Sequence, residues 1–580
     1  MFFLQKSLKN ATFVHKFKDF VQMEINIVPS YNKLVQESIQ KYWEMDSMSD
    51  HGLFTFKYKD VAEIIEKFHI LYAELGIQKG DKIAICGRNL SRWGAAFFSI
   101  ITYGAVAVPI LHEFHPAQVH DIVNHSEAKL LLVGDKVWPA LTASEMSNLE
   151  GIISLADYSI YYSKTEQFTQ AYNSVNEIYA QKYPNGIQPS DLNYHKDEAN
   201  ELAIINYTSG TTSNSKGVML PYRALWSNYD FAAHVYGDII KPGDNVLSML
   251  PMAHMYGMAF EFTFEFISCV HIHFLTKMAS PTVLMQALAE VKPVILIVVP
   301  LIIEKVVRKA VLPKIQTPKM QFLLKMPIIN RIIKRKICEG LTKALGGNFY
   351  EVIIGGAALN QEIEKLLHDI GFRYTVGYGA TECAPIITYE DYKKMVPGSC
   401  GKNVIHQELK ILSPDPQNIP GEILTRGLNV MLGYYKNEEA TEATLDKDGW
   451  YHTGDLGIMD KKGNLFIKGR CKNMLLGANG QNIYPEEIED KLSNMKMVAE
   501  CVVIQKGEKL YGLVYPDQDQ VQAEKLTEED LVELMEQNRK DVNPLLPAYA
   551  QLAGIKIMKQ EFEKTPKKSI KRFLYANEEV

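Results

Sequence analysis

A short segment of small, hydroxyl-bearing residues is the part of this chain best suited to bind an anion. Residues 206–217 read NYTSGTTSNSKG and follow the apolar run 202–205, which predicts a loop at the tip of a buried strand. Small residues let backbone N–H groups approach an anion closely, while the hydroxyls and the ammonium of Lys216 add donors and charge. This chemistry predicts phosphate binding.

Two other interpretations of this segment depend on the order of its residues. A Walker A loop ends in Gly-Lys-Ser or Gly-Lys-Thr, whereas Lys216 here precedes Gly217 and Val218, which excludes that motif. A flexible Ser/Gly linker has a similar composition. A linker requires only this composition, whereas the residues here also follow the order of a known signature, which makes the linker interpretation weaker.

That order resembles the Tyr-Thr-Ser-Gly-Thr-Thr-Gly-x-Pro-Lys-Gly signature of the adenylate-forming superfamily of acyl-CoA synthetases, peptide-synthetase adenylation domains and luciferases. Ser213 and Ser215 replace the usual Gly and Pro. Further matching motifs extend the resemblance from about Phe54 to Arg572. It implies that ATP phosphates are bound by Thr208, Ser209, Gly210, Thr211, Thr212 and Lys216, with Thr208 and Lys216 acting in catalysis.

Two motifs in the middle of the chain fit the rest of a nucleotide site. A predicted strand at 350–354 is followed by a tight turn of small residues, Gly355, Gly356 and Ala357. Their small side chains leave room for a flat ring or an acyl chain to approach the backbone. Residues 374–382 then read YTVGYGATE. The resemblance implies that Tyr378 stacks on adenine beside Gly379, that Thr381 touches phosphate and that Glu382 ligates Mg²⁺. A hard carboxylate oxygen is a ligand that Mg²⁺ prefers.

Later motifs imply contacts to ribose and to coenzyme A. Asp455, in the sequence GWYHTGDLG, would be a turn residue if it stood alone. Within the resemblance it accepts hydrogen bonds from both ribose hydroxyls, and Arg470 supplies a second ribose contact. Lys472 then matches the hinge residue between two domains, and Gly480 matches the glycine that lines the pantetheine tunnel.

Two candidate catalytic residues carry competing interpretations. His254, in LPMAHMYG, matches a position beside the acyl pocket, although a lone histidine is more often packed or on the surface. The family ends in a motif of the type Thr-x-x-Gly-Lys-Ile-x-Arg. Residues 565–572 read TPKKSIKR, so Ser569 aligns with the catalytic lysine.

Length and composition indicate an ordinary globular protein of more than one domain. A chain of 580 residues is too long to fold around a single hydrophobic core, and 47% of its residues are hydrophobic and 22% are charged. A formal charge of −6 gives no reason to expect a nucleic-acid partner. Seven scattered cysteines predict a reducing cytoplasm and no structural zinc. No secretory signal is predicted in residues 1–21, and Met1 and Met23 are both possible starts.

The order of predicted elements favours an α/β fold. Strands and helices alternate from Asp81 to Val133, which predicts a parallel sheet covered by helices. We expect a large N-terminal domain, 1–471, with parallel sheets and a small β-barrel-like part, and a smaller mobile α+β lid, 472–580. Trp93, Phe97 and Phe98 are predicted to pack in the core. Residues 161–195 are predicted to be a polar surface excursion.

A strongly basic stretch lies between residues 304 and 343. Eleven Lys and Arg residues stand there against two Glu, interleaved with apolar pairs such as Ile328 and Ile329. A basic amphipathic surface can lie on anionic lipid, which predicts peripheral contact with the inner membrane through the 305–343 region. A solvated helical face is the alternative. The oligomeric state is not predicted.

The motifs together favour an ATP-dependent acyl-CoA synthetase for medium- to long-chain fatty acids, with ATP, Mg²⁺ and coenzyme A as its other requirements. Ser569 raises a second hypothesis, an acyl- and nucleotide-binding homologue that has lost efficient adenylation. A ligase that transfers the acyl group to a carrier-protein thiol is a third, because only the acceptor differs.

Overall fold

The largest element of the fold is an eight-stranded mixed sheet. A computed structural model of the chain describes residues 28–208, 215–276, 281–477, 481–564 and 570–580. In spatial order the strands of this sheet are Gly433–Tyr434, Lys216–Pro221, Leu202–Thr208, Val106–Ile110, Lys82–Cys86, Leu130–Val133, Gly151–Ser154 and Ile160–Ser163. Five strands, from Leu202–Thr208 to Gly151–Ser154 in this order, run parallel to one another, and each of the three outer strands pairs antiparallel with its inner neighbour. The predicted parallel sheet is confirmed.

Amphipathic helices cover this sheet and bury its apolar strands. They are Tyr31–Lys41, Tyr58–Glu74, Ser91–Tyr103, Pro116–Ser126, Glu166–Lys182 and Tyr222–Tyr236. In the helix Ser91–Tyr103 the side chains of Trp93, Phe97 and Phe98 are fully buried, as predicted. A central strand covered on both faces reads as a continuous apolar run, which is why Leu130–Val133 was recognisable in the sequence.

One prediction for this region is wrong. Residues 161–195 are not an irregular excursion, because they contain the end of the strand Ile160–Ser163 and the whole helix Glu166–Lys182. The helix buries Phe168, Ala171 and Val175, a stripe at spacings of three and four residues. That stripe is short and flanked by polar residues, so the polarity of the segment obscured it.

A second group of elements follows the large sheet in the chain. A four-stranded sheet has the order Asn245–Ser248, His271–Phe274, Asp46–Asp50 and Phe54–Lys57, and a parallel three-stranded sheet contains Leu296–Val298, Val352–Ile354 and Tyr374–Val376. Their helices are Met255–Met258, Ala259–Thr263, Phe264–Ile267, Pro281–Val291, Pro300–Ala310, Leu312–Ile315, Pro318–Leu324, Pro327–Ala344 and Gln361–Asp369. The three-stranded sheet and its helices enclose a separate apolar core.

Antiparallel strands form the part predicted to be barrel-like. They comprise a three-stranded sheet, Tyr378–Gly379, Ile386–Tyr389 and Lys402–Asn403, and a four-stranded sheet, Gln407–Leu412, Gly421–Gly427, Tyr451–Met459 and Leu465–Arg470. The short helix Glu438–Glu442 precedes the long third strand. The register pairs Asp455 with Arg470 on neighbouring strands.

The C-terminal part is α+β and has its own apolar clusters. Its strands are Leu475–Leu476, Asn482–Ile483, Val498–Lys506, Lys509–Pro516 and Leu552–Ile557, and its helices are Pro485–Leu492, Gln518–Glu524 and Glu528–Val542. The predicted hairpin turns at Gly507, whose φ of 58° suits glycine. The domain division at residue 472 and the mobility of the lid stay predictions.

Short 3₁₀ turns complete the fold, at Trp138–Ala140, Ala143–Glu145, Pro189–Asp191, Thr381–Cys383, Cys471–Asn473, Asn543–Leu545, Ala548–Ala550 and Arg572–Leu574. The two parts meet where Asn360, the N-cap of the helix Gln361–Asp369, donates from Nδ2 to Asn494 Oδ1 at 2.9 Å. Within the described ranges, every helix is too short or too polar to cross a bilayer.

Candidate active site

The predicted phosphate loop joins two paired strands. Thr208, at the end of the strand Leu202–Thr208, pairs with Lys216 at the start of the antiparallel strand Lys216–Pro221. The two strands therefore bring Thr208 and Lys216 together at one end of their ladder. The predicted phosphate-binding residues Ser209, Gly210, Thr211 and Thr212 lie outside the described residues.

Lys216, Tyr434 and Glu382 form a connected group beside this hairpin. The ammonium of Lys216 lies 4.6 Å from the centre of the Tyr434 ring, and the Tyr434 hydroxyl donates to Glu382 Oε1 at 2.8 Å. Burial and the nearby Glu382 carboxylate raise the pKa of Tyr434, which keeps the phenol protonated as a donor. No described residue donates to Glu382 Oε2. The sequence prediction assigned no role to Tyr434.

The backbone around Glu382 is tightly constrained. Glu382 lies in the 3₁₀ turn Thr381–Cys383, where the side chain of Thr381 is buried. A Cβ on Gly379 would lie 2.2 Å from the carbonyl oxygen of Pro385, so only glycine fits there. The carbonyl oxygen of Glu382 accepts from Met431 N at 2.8 Å, which ties this turn to the segment before Tyr434.

Asp455 is held between Tyr378 and Arg470. The Tyr378 hydroxyl donates to Asp455 Oδ2 at 2.7 Å, and Arg470 Nε lies 3.0 Å from Oδ1. Burial raises the pKa of Asp455, and the Arg470 charge and the Tyr378 hydrogen bond oppose that rise. Each carboxylate oxygen keeps a further acceptor position, so the arrangement fits two additional hydroxyl donors.

The groups around Glu382 and Asp455 belong to one site. The Glu382 charge contributes to the raised pKa values of Asp455 and Arg470, so the two carboxylates lie within electrostatic range. Among the described ranges no cluster of three or more His, Cys, Asp or Glu side chains could hold a metal ion. A single carboxylate fits Mg²⁺ bound mainly by phosphate and water.

His254 begins the short helix that carries Tyr256. It caps the helix Met255–Met258, because its Nδ1 accepts from Tyr256 N at 3.2 Å. The Tyr256 hydroxyl donates to Ile353 O at 3.2 Å, and a Cβ on Gly355 would lie 3.0 Å from the Tyr256 ring. Gly356 has a φ of 84°, and Ala357 follows it. The structure therefore places Tyr256, two residues after His254, against the first of these small residues.

A small cavity of about 10 Å³, which is room for about one water molecule, adjoins the helix that His254 caps. Phe97, Met255, Met258 and Ala259 contribute to its lining, and Asn228 adds a polar group. The amide of Asn206, near the phosphate hairpin, donates to Ala253 O at 2.9 Å. This bond connects the cavity region to the strand that carries Thr208.

The remaining predicted residues are Lys472, Gly480 and Ser569. Lys472 lies in the 3₁₀ turn Cys471–Asn473, directly after Arg470. Gly480 and Ser569 lie outside the described residues. Near Ser569, the ammonium of Lys571 forms an ion pair with Glu563, and Arg572 forms one with Glu489.

Comparison with known proteins identifies the family to which this site belongs. The model of the AMP-binding enzymes matches residues 36–435, and that of the AMP-binding enzyme C-terminal domain matches residues 472–578. A long-chain-fatty-acid--CoA ligase, FadD15, from Mycobacterium bovis is 28% identical over 76% of this chain and 73% of its own length. A long-chain-fatty-acid--CoA ligase from Escherichia coli O157:H7 is 26% identical over 85% of this chain and 86% of its own length.

Solved structures share the fold at lower identity. The anthranilate CoA ligase AuaEII, in complex with anthranoyl-AMP, superposes with a TM-score of 0.74 at 18% identity, covering 94% of this chain and 96% of that one. A fatty acyl CoA synthetase from Mycobacterium tuberculosis gives a TM-score of 0.62 at 19% identity, covering 94% and 98%. With two family models spanning most of its length, the chain belongs to the AMP-binding enzymes, whose adenylate-forming fold it has.

Proposed function

We propose that the protein is an ATP-dependent, AMP-forming ligase that activates a medium- to long-chain fatty acid and transfers the acyl group to coenzyme A. The observation that carries this proposal is the shared site of Glu382 and Asp455, each bonded to its own tyrosine, beside the hairpin that carries Lys216. A nucleotide with phosphates at one end and ribose at the other fits that arrangement.

The reaction has two steps in which bonds form and break at different atoms. In the first, a carboxylate oxygen of the fatty acid bonds to the α-phosphorus of ATP, and pyrophosphate leaves with the broken P–O bond. In the second, the thiolate sulfur of coenzyme A bonds to the acyl carbon, and AMP leaves. Neither step needs a covalent enzyme intermediate, so the protein acts through positioning and charge neutralisation.

Individual residues have defined tasks in this scheme. Lys216 offsets negative charge as two anions meet, and Asp455 with Arg470 binds the ribose hydroxyls. Tyr378 lies against Asp455 at the end of the site proposed for adenine. Glu382 would hold Mg²⁺, which supplies positive charge to the phosphates when it is bound. Tyr434 fixes the direction of that carboxylate.

The preference for a fatty acid has two supports. The relatives at 26–28% identity are named long-chain-fatty-acid--CoA ligases. The helical segment after His254 is apolar, with Met255, Met258 and Phe260 buried, which suits contact with an alkyl chain. His254 would lie at the head of that chain. The seven free cysteines support a reducing, cytoplasmic location, and contact with a membrane would give access to fatty acids there.

One observation keeps a second candidate function open. Ser569 stands where the family has a lysine, so an adenylation-impaired homologue that still binds acyl-AMP fits the same site. An acceptor thiol on a carrier protein fits the first half-reaction equally well.

The test is to incubate the protein with MgATP, coenzyme A and a panel of fatty acids of increasing chain length. We expect AMP and pyrophosphate in equal amounts, together with acyl-CoA, and a maximum at one chain length. Release of ADP would contradict the assignment. Acyl-CoA formed only from supplied acyl-AMP would favour the impaired homologue, and AMP release that depends on a carrier protein in place of coenzyme A would favour the third hypothesis.

A further inference from the structure

The helices Pro318–Leu324 and Pro327–Ala344 expose an unusual combination of side chains. Phe322, Met326, Ile328 and Ile332 are 62, 39, 79 and 52% exposed. These are four of the eighteen large apolar side chains exposed among the described residues, within eleven consecutive positions. Exposed apolar residues scattered singly need no explanation, whereas a concentrated group marks an interaction site.

Most of the positive charge in the same segment has no ion-pair partner among the described residues. Residues 314–336 contain seven Lys and Arg residues and no Asp or Glu. Among the residues that the structure describes, Lys319, Lys325 and Arg331 have no ion-pair partner, and neither do Lys314 and Lys336. A solvated helical face of a globular protein mixes both signs of charge and lacks a large apolar component.

The apolar and basic side chains share one surface. Ile328, Arg331, Ile332 and Arg335 occupy positions i, i+3, i+4 and i+7 of their helix, which places them on one face. Phe322 belongs to the preceding helix, and Met326 lies in the turn between the two. We name the set from Lys319 to Lys336 the basic apolar surface.

The adjoining groove does not provide a discrete anion site. In this groove, Arg335 pairs with Glu339 at 2.8 Å and Lys334 lies 3.9 Å from Asp369. Two of its cations are therefore engaged by carboxylates. The unpaired charges lie along the surface among the exposed apolar side chains, which suits an extended anionic partner with an apolar interior.

We propose that the basic apolar surface docks on an anionic lipid bilayer, with Phe322 and Ile328 entering the boundary between headgroups and acyl chains. Lysines and Arg331 then lie at the level of the lipid phosphates, as in amphipathic helices that bind membrane surfaces. A nucleic acid would use the charges but would gain little from the exposed Ile and Phe. The proposal does not depend on the ligase reaction.

The experiment is sedimentation of the full-length protein with vesicles. We expect binding to phosphatidylcholine vesicles that contain phosphatidylglycerol, weak binding to phosphatidylcholine alone, and a decline as salt shortens the Debye length. Replacing Lys319, Lys325 and Arg331 by Gln should reduce the partition coefficient on the order of a hundredfold, since each charge contributes roughly fivefold. Phe322→Ser with Ile328→Ser should reduce it on both kinds of vesicle.

Matched variants control for charge, hydrophobicity and folding. Lys447, Lys461 and Lys509 are exposed elsewhere, and their replacement by Gln should leave vesicle binding unchanged. Leu53→Ser with Leu412→Ser removes comparably exposed apolar side chains elsewhere and should also have no effect. Thermal unfolding of all variants verifies that they fold.

Three outcomes would overturn the proposal. The first is no binding to anionic vesicles at low salt, and the second is equal loss of binding in the control variants. The third is binding to duplex DNA at physiological salt without binding to vesicles, which would identify a nucleic-acid surface instead. Ligase activity, measured separately with a short water-soluble acid, reports on the proposed reaction and not on docking.

Discussion

At the scale of single residues, the site is built from carboxylates paired with tyrosines. Tyr434 donates to Glu382 and Tyr378 donates to Asp455. A phenol whose pKa is raised by burial stays a neutral donor, so it orients a carboxylate without cancelling its charge. Each phenol thereby sets the direction of its carboxylate without adding a charge of its own, while Arg470 pairs with Asp455.

We expect Tyr434→Phe to raise the magnesium concentration needed for pyrophosphate release roughly tenfold. A hydrogen bond to a charged group contributes about 1.5–3 kcal/mol, and its loss leaves Glu382 free to rotate. Glu382→Gln should produce a larger loss, because it removes the charge itself. Initial rates over a magnesium titration measure both effects.

Tyr435→Phe is the matched control for that substitution. The Tyr435 hydroxyl donates to Glu127 Oε2 at 3.0 Å in an exposed contact away from Glu382. Its removal should leave the magnesium dependence unchanged. An unaltered magnesium dependence in Tyr434→Phe would show that Tyr434 does not position the carboxylate.

Ser569→Lys should accelerate adenylation, by up to about 10²–10³-fold, because an ammonium offsets charge that a hydroxyl cannot. The rate of acyl-CoA formation from supplied acyl-AMP should change little. Quenched-flow measurement of pyrophosphate release separates the two half-reactions. Equal adenylation by wild type and variant would contradict the alignment of this segment with the family motif.

The adjacent lysines should differ in how far they compensate for Ser569. The ammonium of Lys571 is engaged by Glu563, whereas Lys567 lies outside the described residues. We therefore expect Lys567→Ala to lower the residual adenylation rate more than Lys571→Ala. A larger effect of Lys571→Ala would mean that its ion pair opens during the reaction.

At the scale of elements, the helix Glu166–Lys182 shows how one aromatic side chain attaches an otherwise polar segment. Phe168 is 1% exposed and lies over the strand Gly151–Ser154. A Cβ on Gly151 would lie 2.1 Å from the Phe168 ring, so the glycine makes room for it. Phe168 and Gly151 are 17 positions apart in the chain, so their contact cannot be predicted from the sequence of either segment alone.

Phe168→Ala should reduce the free energy of unfolding by about 3–5 kcal/mol, because it leaves a cavity above a glycine that cannot fill it. Urea denaturation followed by circular dichroism measures the loss. Gln167→Ala, at an exposed neighbouring position, should change stability by less than about 0.5 kcal/mol. A similar small effect of both substitutions would exclude Phe168 as the anchor of this helix.

At the scale of the whole molecule, an ion pair attaches the end of the chain to the C-terminal part. Arg572 donates two hydrogen bonds to Glu489, which lies 83 residues earlier on the helix Pro485–Leu492. Burial raises the pKa of Glu489 to about 7, and the Arg572 charge acts in the opposite direction. Removing Arg572 would therefore raise that pKa further.

Arg572→Gln should destabilise the protein by about 2–4 kcal/mol at a pH well above 7, where Glu489 would be buried as an unpaired anion. The loss should shrink as the pH falls and Glu489 is protonated, because a raised pKa favours the folded state only under acidic conditions. Urea denaturation at several pH values measures this dependence against wild type.

The double variant Glu489→Gln, Arg572→Gln tests the same ion pair without a buried charge. It should recover most of the stability at high pH and should lose the pH dependence of Arg572→Gln. If Arg572→Gln lowered the free energy of unfolding by the same amount at all pH values, the arginine would contribute by packing alone.

Elements with a local signal could be predicted from the order of residues alone. Continuous apolar runs identified the buried parallel strands, helical spacing identified Ser91–Tyr103, and Gly507 identified the C-terminal hairpin. Motif order predicted the candidate residues of the site, and the family models agree with the superfamily that this order indicated. These features depend on residues close together in the chain, so they can be recognised without a structure.

Contacts between residues that are distant in the chain could not be predicted in this way. The contact of Tyr434 with Glu382 spans 52 positions, and that of Tyr378 with Asp455 spans 77. Likewise, the packing of the helix Glu166–Lys182 and the exposure of the basic apolar surface are seen only in the folded chain. Burial and pairing are properties of the folded chain, because neighbours in space follow from sheet order and helix packing rather than from sequence distance.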